Sequence, residues 1–496
     1  FMISTSEHRR AGATLQLICL LIGAIAFTFV GWRYNVPIAA WISPIFLLRY
    51  FRDARRWYVT LAAIPLLAIA SYIQLAGGWD LDPWAFFLLP FLRPALLVGA
   101  LYADRYLSPR LPRGAASLVF PSVYVALDYL FSLTPFGTIL SISATQFGMP
   151  GVAQIASIAG VWGIGFLINW TASISNLLWE DRARMRDAGP VAIVFAAVLG
   201  ATLLYGGART ALVRPSSQTV RVASITVPHP RDYWSWIDAA TPADVVRSYA
   251  SELTGLQNRL FEQSEKAVGA GSKIVFWSEG DAVITPEDKS AFFRRAAEFS
   301  RTNRIYLAAS LLELHYGSTI SDNKVIMFTP QGTQGFSYVK TKSWYPTDSD
   351  GQLATIDTPY GRLAAAVCFD MDFPGFINSL GRQKSDIVLV PAYDSAGIRP
   401  YHTEVGLMRA IENGFSMVRQ TNEGTSMAVD GVGHPLSRQE FFETDDPIMF
   451  TDVPTRRVRT LYAWAGDWFA YGSIASAAAL IALGILFGLR RRRHRP

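Results

Sequence analysis

Eight long apolar runs constrain this chain more than any other feature of its sequence. Seven precede residue 210, near 12–31, 35–51, 57–76, 83–103, 114–132, 152–178 and 190–208, and an eighth runs from about 468 to 489. A helix needs roughly 20 apolar residues to cross about 30 Å of hydrocarbon. Most of the runs reach that length, and the second, at about 17 residues, is marginal. Backbone groups in a bilayer must be satisfied within the segment, so such runs are read as membrane helices. With 51% hydrophobic and only 17% charged residues in 496, the chain fits a membrane protein with a sizeable polar part. The first run has the apolar character of a signal peptide. More apolar runs follow it, with no small-residue cleavage site and polar start, so it is read as a retained helix.

Lys and Arg accumulate in cytoplasmic loops. Here they sit at His8-Arg9-Arg10, at Arg52, Arg55 and Arg56, at Arg105, Arg110 and Arg113, at Arg182, Arg184 and Arg186, and in the tail from Arg490 to Arg495. The intervening loops, 77–82 and 133–150, carry none. This alternation predicts a seven-span domain over 1–214, an extracytoplasmic domain over 215–462, and a last span with a cytoplasmic tail over 463–496. Both termini are then cytoplasmic. The arginine tail also suits nucleic acid, but a basic flank beside a last span is the commoner topological stop, so no nucleic-acid partner is expected. Arg93 inside the fourth run either faces protein or snorkels to a headgroup. The uncharged stretch 135–148 reads as a re-entrant or interfacial segment, and Gly151 to Asn169 as one glycine-rich helix.

Residues 218–460 alternate strands and helices. Strands are predicted at 220–227, 273–277, 304–314, 324–329, 361–369, 386–390, 415–420, 426–429 and 448–453. Helices are predicted at 241–268, with Pro242 in the first turn, at 286–303 and at 401–414. The pattern implies a layered α/β domain with a covered sheet. Three predicted strand ends carry chemistry: Trp277-Ser278-Glu279, Tyr338-Val339-Lys340 and Cys368-Phe369-Asp370. A thiol attacks a carbonyl as thiolate, a carboxylate can take its proton, and a lysine can hold the oxyanion. The chain has two cysteines, and Cys19 lies in the first apolar run, so Cys368 has no disulfide partner in its own domain. A buried structural thiol beside an ordinary Glu–Lys pair is the alternative reading. With no zinc-type Cys/His cluster, P-loop or dinucleotide fingerprint, no cofactor and no metal is expected.

The three motifs, in this order, resemble the Glu-Lys-Cys triad of the nitrilase superfamily. Arg409-Ala-Ile-Glu-Asn-Gly414 and Arg419-Gln-Thr-Asn422 resemble that family's following helix and strand. A domain of this kind between seven spans and one is similar to the apolipoprotein N-acyltransferase family of bacterial inner membranes, and so are the stretches Pro135–Gln146 and Gln154–Leu167. The resemblance implies a polytopic α-helical membrane domain plus an αββα sandwich domain on the periplasmic side. It implies Glu279 as general base, Lys340 as oxyanion partner with Lys342 as competitor, and Cys368 as nucleophile. Asp370 and the backbone of Phe369 would support them, and Asp348 or Asp350 would stand for the family's second glutamate. The implied reaction moves an acyl chain from a membrane phospholipid, through a cysteine thioester, to the amine of a lipoprotein's diacylglyceryl-cysteine. A membrane-anchored amidase acting on an exported amide is the alternative. Departures from the family pattern fall at Ser278, Phe369, Asp370, Lys342-Ser343 and the loop Ala392–Gly397, which lacks a Trp-Phe pair. Tyr233, Trp234, Trp236 and Trp344 are candidates for lining a lipid path or for ordinary packing.

Overall fold

The computed structural model describes residues 5–54, 56–78, 83–180, 185–215, 218–230, 233, 241–316, 321–344 and 346–493. The chain divides into two compact units. One is Phe1–Arg209 with Ala465–Pro496, and the other is Thr210–Trp464.

The first unit is helical. Among the described residues six helices are long and apolar enough to cross a membrane: Trp57–Leu75, Phe87–Arg110, Arg113–Ser132, Ala156–Glu180, Ala188–Leu212 and Trp468–Arg490. The apolar part of the first helix is shorter, Gly12–Thr28. The run at 35–51 folds as a helix only over Ala39–Asp53, 15 residues, and its length of roughly 22 Å falls short of the hydrocarbon thickness. Arg93 faces protein: it donates to Gln74 Oε1 at 2.5 Å and to the Val30 carbonyl, and lies over the Phe27 ring. The uncharged 135–148 stretch forms turns around one short 3-10 turn, Ile142–Ala144. Ser141 and Ser143 there donate to buried Asp128 at 2.5 and 2.8 Å. A Cβ on Gly165 would meet the Ser143 hydroxyl at 2.1 Å, so a glycine is required for this approach. The single helix expected over 151–169 is interrupted. Pro150–Ala153 and Ala156–Glu180 are separate, and Gly160 takes φ 65°, a left-handed conformation that glycine tolerates.

Among the described residues the second unit has thirteen strands: β1 (Thr219–Ile225), β2 (Ile274–Trp277), β3 (Ala282–Ile284), β4 (Tyr306–Glu313), β5 (Asp322–Phe328), β6 (Gln334–Val339), β7 (Thr355–Thr358), β8 (Gly361–Ala365), β9 (Ile387–Tyr393), β10 (Ser416–Asn422), β11 (Thr425–Val429), β12 (Pro435–Glu440) and β13 (Ile448–Pro454). One sheet has the order β13-β1-β2-β4-β5-β6, with β3 beside β4, and the other runs β12-β11-β10-β9-β8-β7. β1, β2 and β4 are mutually parallel, as are β8, β9 and β10. The parallel strands are almost wholly buried, as continuous apolar strands covered on both faces must be. Leu253, Leu256, Leu260 and Phe261 of the helix Ala250–Gly269 pack on Ala223, Ile225, Val275 and Trp277 of the first sheet. The helix Tyr401–Asn413 covers the second. The two sheets meet through Ser224 Oγ, which donates to Gln420 Oε1 at 2.5 Å. The layers are therefore helix, sheet, sheet, helix.

Several boundaries differ from the sequence expectations. The helix predicted over 241–268 starts at Ala243 and breaks at Tyr249. The helix predicted from Pro286 begins at Lys289, after a turn in which Thr285 Oγ1 donates to Asp288. The strand predicted over 361–369 ends at Ala365, and Cys368 opens a 3-10 turn, Cys368–Asp372.

Candidate active site

Side chains from both sheets of the second unit converge at the carboxyl ends of the parallel strands, where an open α/β sheet presents its loops. β2 is pinned by Trp277. Its indole is fully buried, donates to Ser264 Oγ at 3.0 Å and meets Phe261 edge-on. Two residues later, Glu279 is 4% exposed and surrounded by donors. Its Oε1 accepts Lys340 Nζ at 2.7 Å and Asn323 Nδ2 at 2.6 Å, and its Oε2 accepts the Tyr393 N–H at 2.9 Å. Asn323 and Lys340 come from the first sheet and Tyr393 from the second, so one carboxylate ties the two sheets together.

Lys340 directly follows β6. Its N–H donates to the Asn323 carbonyl at 2.8 Å, and its own carbonyl accepts Thr347 Oγ1 at 2.8 Å. Lys342 lies elsewhere, with its ammonium over the rings of Phe373 and Phe376 at 4.8 and 5.3 Å.

Cys368 is 5% exposed and has φ +47°, a conformation that costs a non-glycine residue energy and persists only where the surroundings enforce it. Asp370 supplies that enforcement. Its Oδ2 accepts the Val367 N–H at 2.8 Å and the Tyr338 hydroxyl at 2.7 Å, and its Oδ1 accepts the Lys342 N–H at 2.8 Å. The turn bearing the thiol is thereby locked to the loop bearing Lys340. The Sγ–H donates to the Tyr393 carbonyl at 3.4 Å. The two backbone groups of Tyr393 thus hold Cys368 on one side and Glu279 on the other.

Burial pushes the Cys368 thiol well up, the charge of Glu279 adds to this, and Lys340 opposes it. Burial works against the charge on Lys340, but Glu279 and then Cys368 outweigh it and hold the ammonium protonated. Burial also raises the Asp370 carboxyl to about 6, against the hydrogen bonds it accepts. The resting arrangement is a protonated thiol beside the Glu279–Lys340 pair.

Sequence reasoning missed a second buried cluster. His402 Nδ1 lies 2.6 Å from Asp394 Oδ1, and its Nε2 lies 2.8 Å from Asp372 Oδ2. Arg419 donates to both oxygens of Asp394, at 2.8 and 3.1 Å. Cys368, Asp394 and His402 each offer a ligand atom within 4.8 Å of the others. Both imidazole nitrogens face carboxylates, however, and Nδ1 also lies 3.2 Å from an Arg419 guanidinium nitrogen, so an imidazolium there has no lone pair for a metal.

The supporting residues divide. Phe369 and Asp370 belong to the cysteine turn. Asp348 and Asp350 are exposed, Asp350 accepts the Gln352 N–H, and the hydrogen bonds reaching Glu279 come from neither. Trp344 is 45% exposed and stacks on Phe369 at 5.3 Å. Tyr233 is buried and stacks on His229. Trp234, Trp236, Arg55, Arg182, Arg184, His494 and Arg495 lie outside the described residues. Asn323 and His402 carried no sequence signal, while Asp394 lies in the loop Ala392–Gly397 and Arg419 opens the motif Arg419–Asn422, both read from the sequence without the pairing between them.

Residues 221–462 match the carbon-nitrogen hydrolase family. The chain is 26% identical to an apolipoprotein N-acyltransferase of Geobacter metallireducens, over 75% of each protein. It is 25% identical to one of Gloeobacter violaceus, over 91% of this chain and 86% of that protein. It is 22% identical to apolipoprotein N-acyltransferase 1 of Treponema denticola, over 92% and 94%.

Proposed function

The chain is a member of the nitrilase superfamily, its residues 221–462 being a carbon-nitrogen hydrolase domain, and from that premise we propose that it is an N-acyltransferase acting on bacterial lipoproteins. The observation that carries this reading is a buried Glu279–Lys340 pair beside Cys368, in a chain whose described residues include six helices long and apolar enough to cross a membrane.

In the first half-reaction Cys368 attacks the ester carbonyl of a membrane phospholipid while Glu279 takes the thiol proton. A C–S bond forms, and the carbonyl electron pair moves onto oxygen. Lys340, with backbone N–H groups such as that of Phe369, holds the oxyanion in a water-poor site where such donors act strongly. The C–O bond then breaks, the proton passes from Glu279 to the departing alkoxide, and a lysophospholipid leaves a thioester. In the second half-reaction the α-amine of a diacylglyceryl-cysteine attacks the thioester and gives its proton to Glu279. A C–N bond forms, the C–S bond breaks, and the thiol is restored. The raised thiol pKa makes a base necessary, and three donors hold the Glu279 side chain in place to serve as one. The loop charges support an extracytoplasmic catalytic domain and cytoplasmic termini.

The test incubates the purified chain, beside Cys368→Ala, with a phospholipid labelled in its acyl chain and a diacylated lipopeptide. Triacylated peptide and a trapped acyl-enzyme from the unaltered chain alone are expected. Hydrolysis of small amides without acyl transfer would make the chain an amidase, and no covalent intermediate under any condition would overturn both readings. Labelling of Cys368 in intact cells by a membrane-impermeant thiol reagent tests the sidedness.

A further inference from the structure

One buried ionic cluster touches the thiol and has no part in the proton transfers between Glu279 and the reactants. The turn Cys368–Asp372 supplies both the nucleophile and Asp372, the residue after β9 supplies Asp394, β10 supplies Arg419, and the helix Tyr401–Asn413 supplies His402. All four charged side chains are at most 3% exposed. Two carboxylates, a guanidinium and an imidazolium carry no net charge together. With a neutral imidazole the same cluster carries one net negative charge, and that charge lies beside the sulfur. On the opposite side the thiol faces Glu279 and Lys340, which are already paired. The remaining carboxylate of the turn, Asp370, is occupied by its three donors.

We propose that His402 is a positioning residue for the nucleophile: clamped as an imidazolium between Asp372 and Asp394, it cancels their charge, so that the Cys368 thiolate forms beside a neutral cluster and not beside an anion. The inference deepens the acyl-transfer reading and rests on Cys368 being its nucleophile. Burial disfavours a charged His402, and the Arg419 guanidinium lies 3.2 Å from its Nδ1, but Asp394 and then Asp372 outweigh the burial and raise the imidazole to about 9. The sulfur feels this cluster directly, since Asp394 raises the thiol and Arg419 lowers it. The cluster also reaches the base. Asp394 is joined in the chain to Tyr393, whose N–H holds Glu279 and whose carbonyl holds the thiol.

The experiment measures alkylation of Cys368 by iodoacetamide in the full-length purified chain across a pH range. Mass spectrometry of the Cys368 peptide separates it from Cys19, and no lipid substrate is involved. In His402→Gln the rate near neutral pH is expected to fall about tenfold or more, with the titration midpoint about one pH unit higher, because one uncompensated charge is left near the sulfur. In Asp372→Asn the amide oxygen still accepts the imidazolium N–H while a negative charge is gone, so alkylation is expected to quicken by about threefold. The double variant His402→Gln/Asp372→Asn is expected to return to within about threefold of the unaltered rate. An unchanged rate and midpoint in His402→Gln overturns the proposal. So does a slower Asp372→Asn, which would be the mark of a purely structural cluster and is decisive even if His402→Gln fails to fold. If alkylation behaves as expected but no lipopeptide is acylated, the acyl-transfer reading falls while the role of His402 stands.

Discussion

Glu279→Gln separates the proposed role of Glu279 as base from its role as scaffold, because the replacement keeps the shape and removes the charge. The glutamate accepts from three donors, Lys340 and Asn323 on Oε1 and Tyr393 N–H on Oε2. An amide offers one acceptor and one donor group, so its NH2 must confront at least one of those donors. The cheaper orientation sets it against the Tyr393 N–H and keeps the oxygen on Lys340 and Asn323. One charge-assisted hydrogen bond is then lost and a donor is left facing a donor, which costs about 2–3 kcal/mol of stability. That is within the roughly 5–15 kcal/mol by which a domain is stable, so the variant remains folded. The chemical effect is larger. Without an acceptor for the proton of a thiol whose pKa is raised, acylation should slow by about 10²–10⁴-fold, or ~3–5 kcal/mol of barrier. The assay is single-turnover formation of the acyl-enzyme from labelled phospholipid, with urea unfolding on the same sample. If stability falls by that amount while the rate stays within about tenfold of the unaltered chain, Glu279 is a structural strut between two sheets and not the base.

Lys340→Met keeps the length of the stem and removes the oxyanion partner. The acylation rate is expected to fall about 10²–10³-fold in the same single-turnover assay. Asp348→Asn is expected to leave turnover within about twofold, since an exposed carboxylate outside the hydrogen bonds of the triad loses little on becoming an amide. Stability should depend on pH through His402. Its value is raised from an ordinary 6.5 to about 9, so the contribution is full below 6.5 and is lost as pH climbs through about 9. The loss is on the order of 3 kcal/mol across that window, read as a falling urea midpoint, and His402→Gln should flatten the slope.

The long apolar helices and the three polar stretches that meet at the candidate site were legible in the sequence for the same reason: both are signals carried by neighbouring residues. An apolar stretch of twenty declares itself. So does a strand closely followed by a charged residue, as buried β2 is by Glu279 and half-exposed β6 is by Lys340. Boundaries set by single backbone angles were not legible. The strand leading to Cys368 is apolar through Val367, so periodicity carried it past Ala365. What ends it is the left-handed turn at Cys368, clamped by Asp370 from the far side. The glycine-rich helix was broken at Gly160 by one torsion for the same reason. Asn323 and His402 were invisible, and the role of Asp394 was too, because each finds its partners on other strands or helices. Only the assembled sheets bring residues 279, 323, 340 and 393 within hydrogen-bond reach of one another.

Asp348 and Asp350 are exposed while Asp370, where the sequence departs from the resembling family's pattern, is buried, and Asp370 is the informative one. Asp370 is fully buried, and its short side chain folds back to take the N–H of Val367 within its own turn, the Tyr338 hydroxyl and the N–H of Lys342. A glutamate at this position would carry its oxygens more than 1 Å further from the backbone. It could not close the bond to Val367 without moving the turn. Asp370→Glu therefore keeps charge and chemistry while it misplaces the thiol. The overpacked side chain should cost about 1–3 kcal/mol of stability, and a displacement near 1 Å at the nucleophile should slow acylation about 10²-fold. Single-turnover acylation and urea unfolding measure the two effects separately. An Asp370→Glu chain that acylates and unfolds like the unaltered one would mean that the turn tolerates either length, and that the left-handed conformation of Cys368 is held by the sheets and not by this carboxylate.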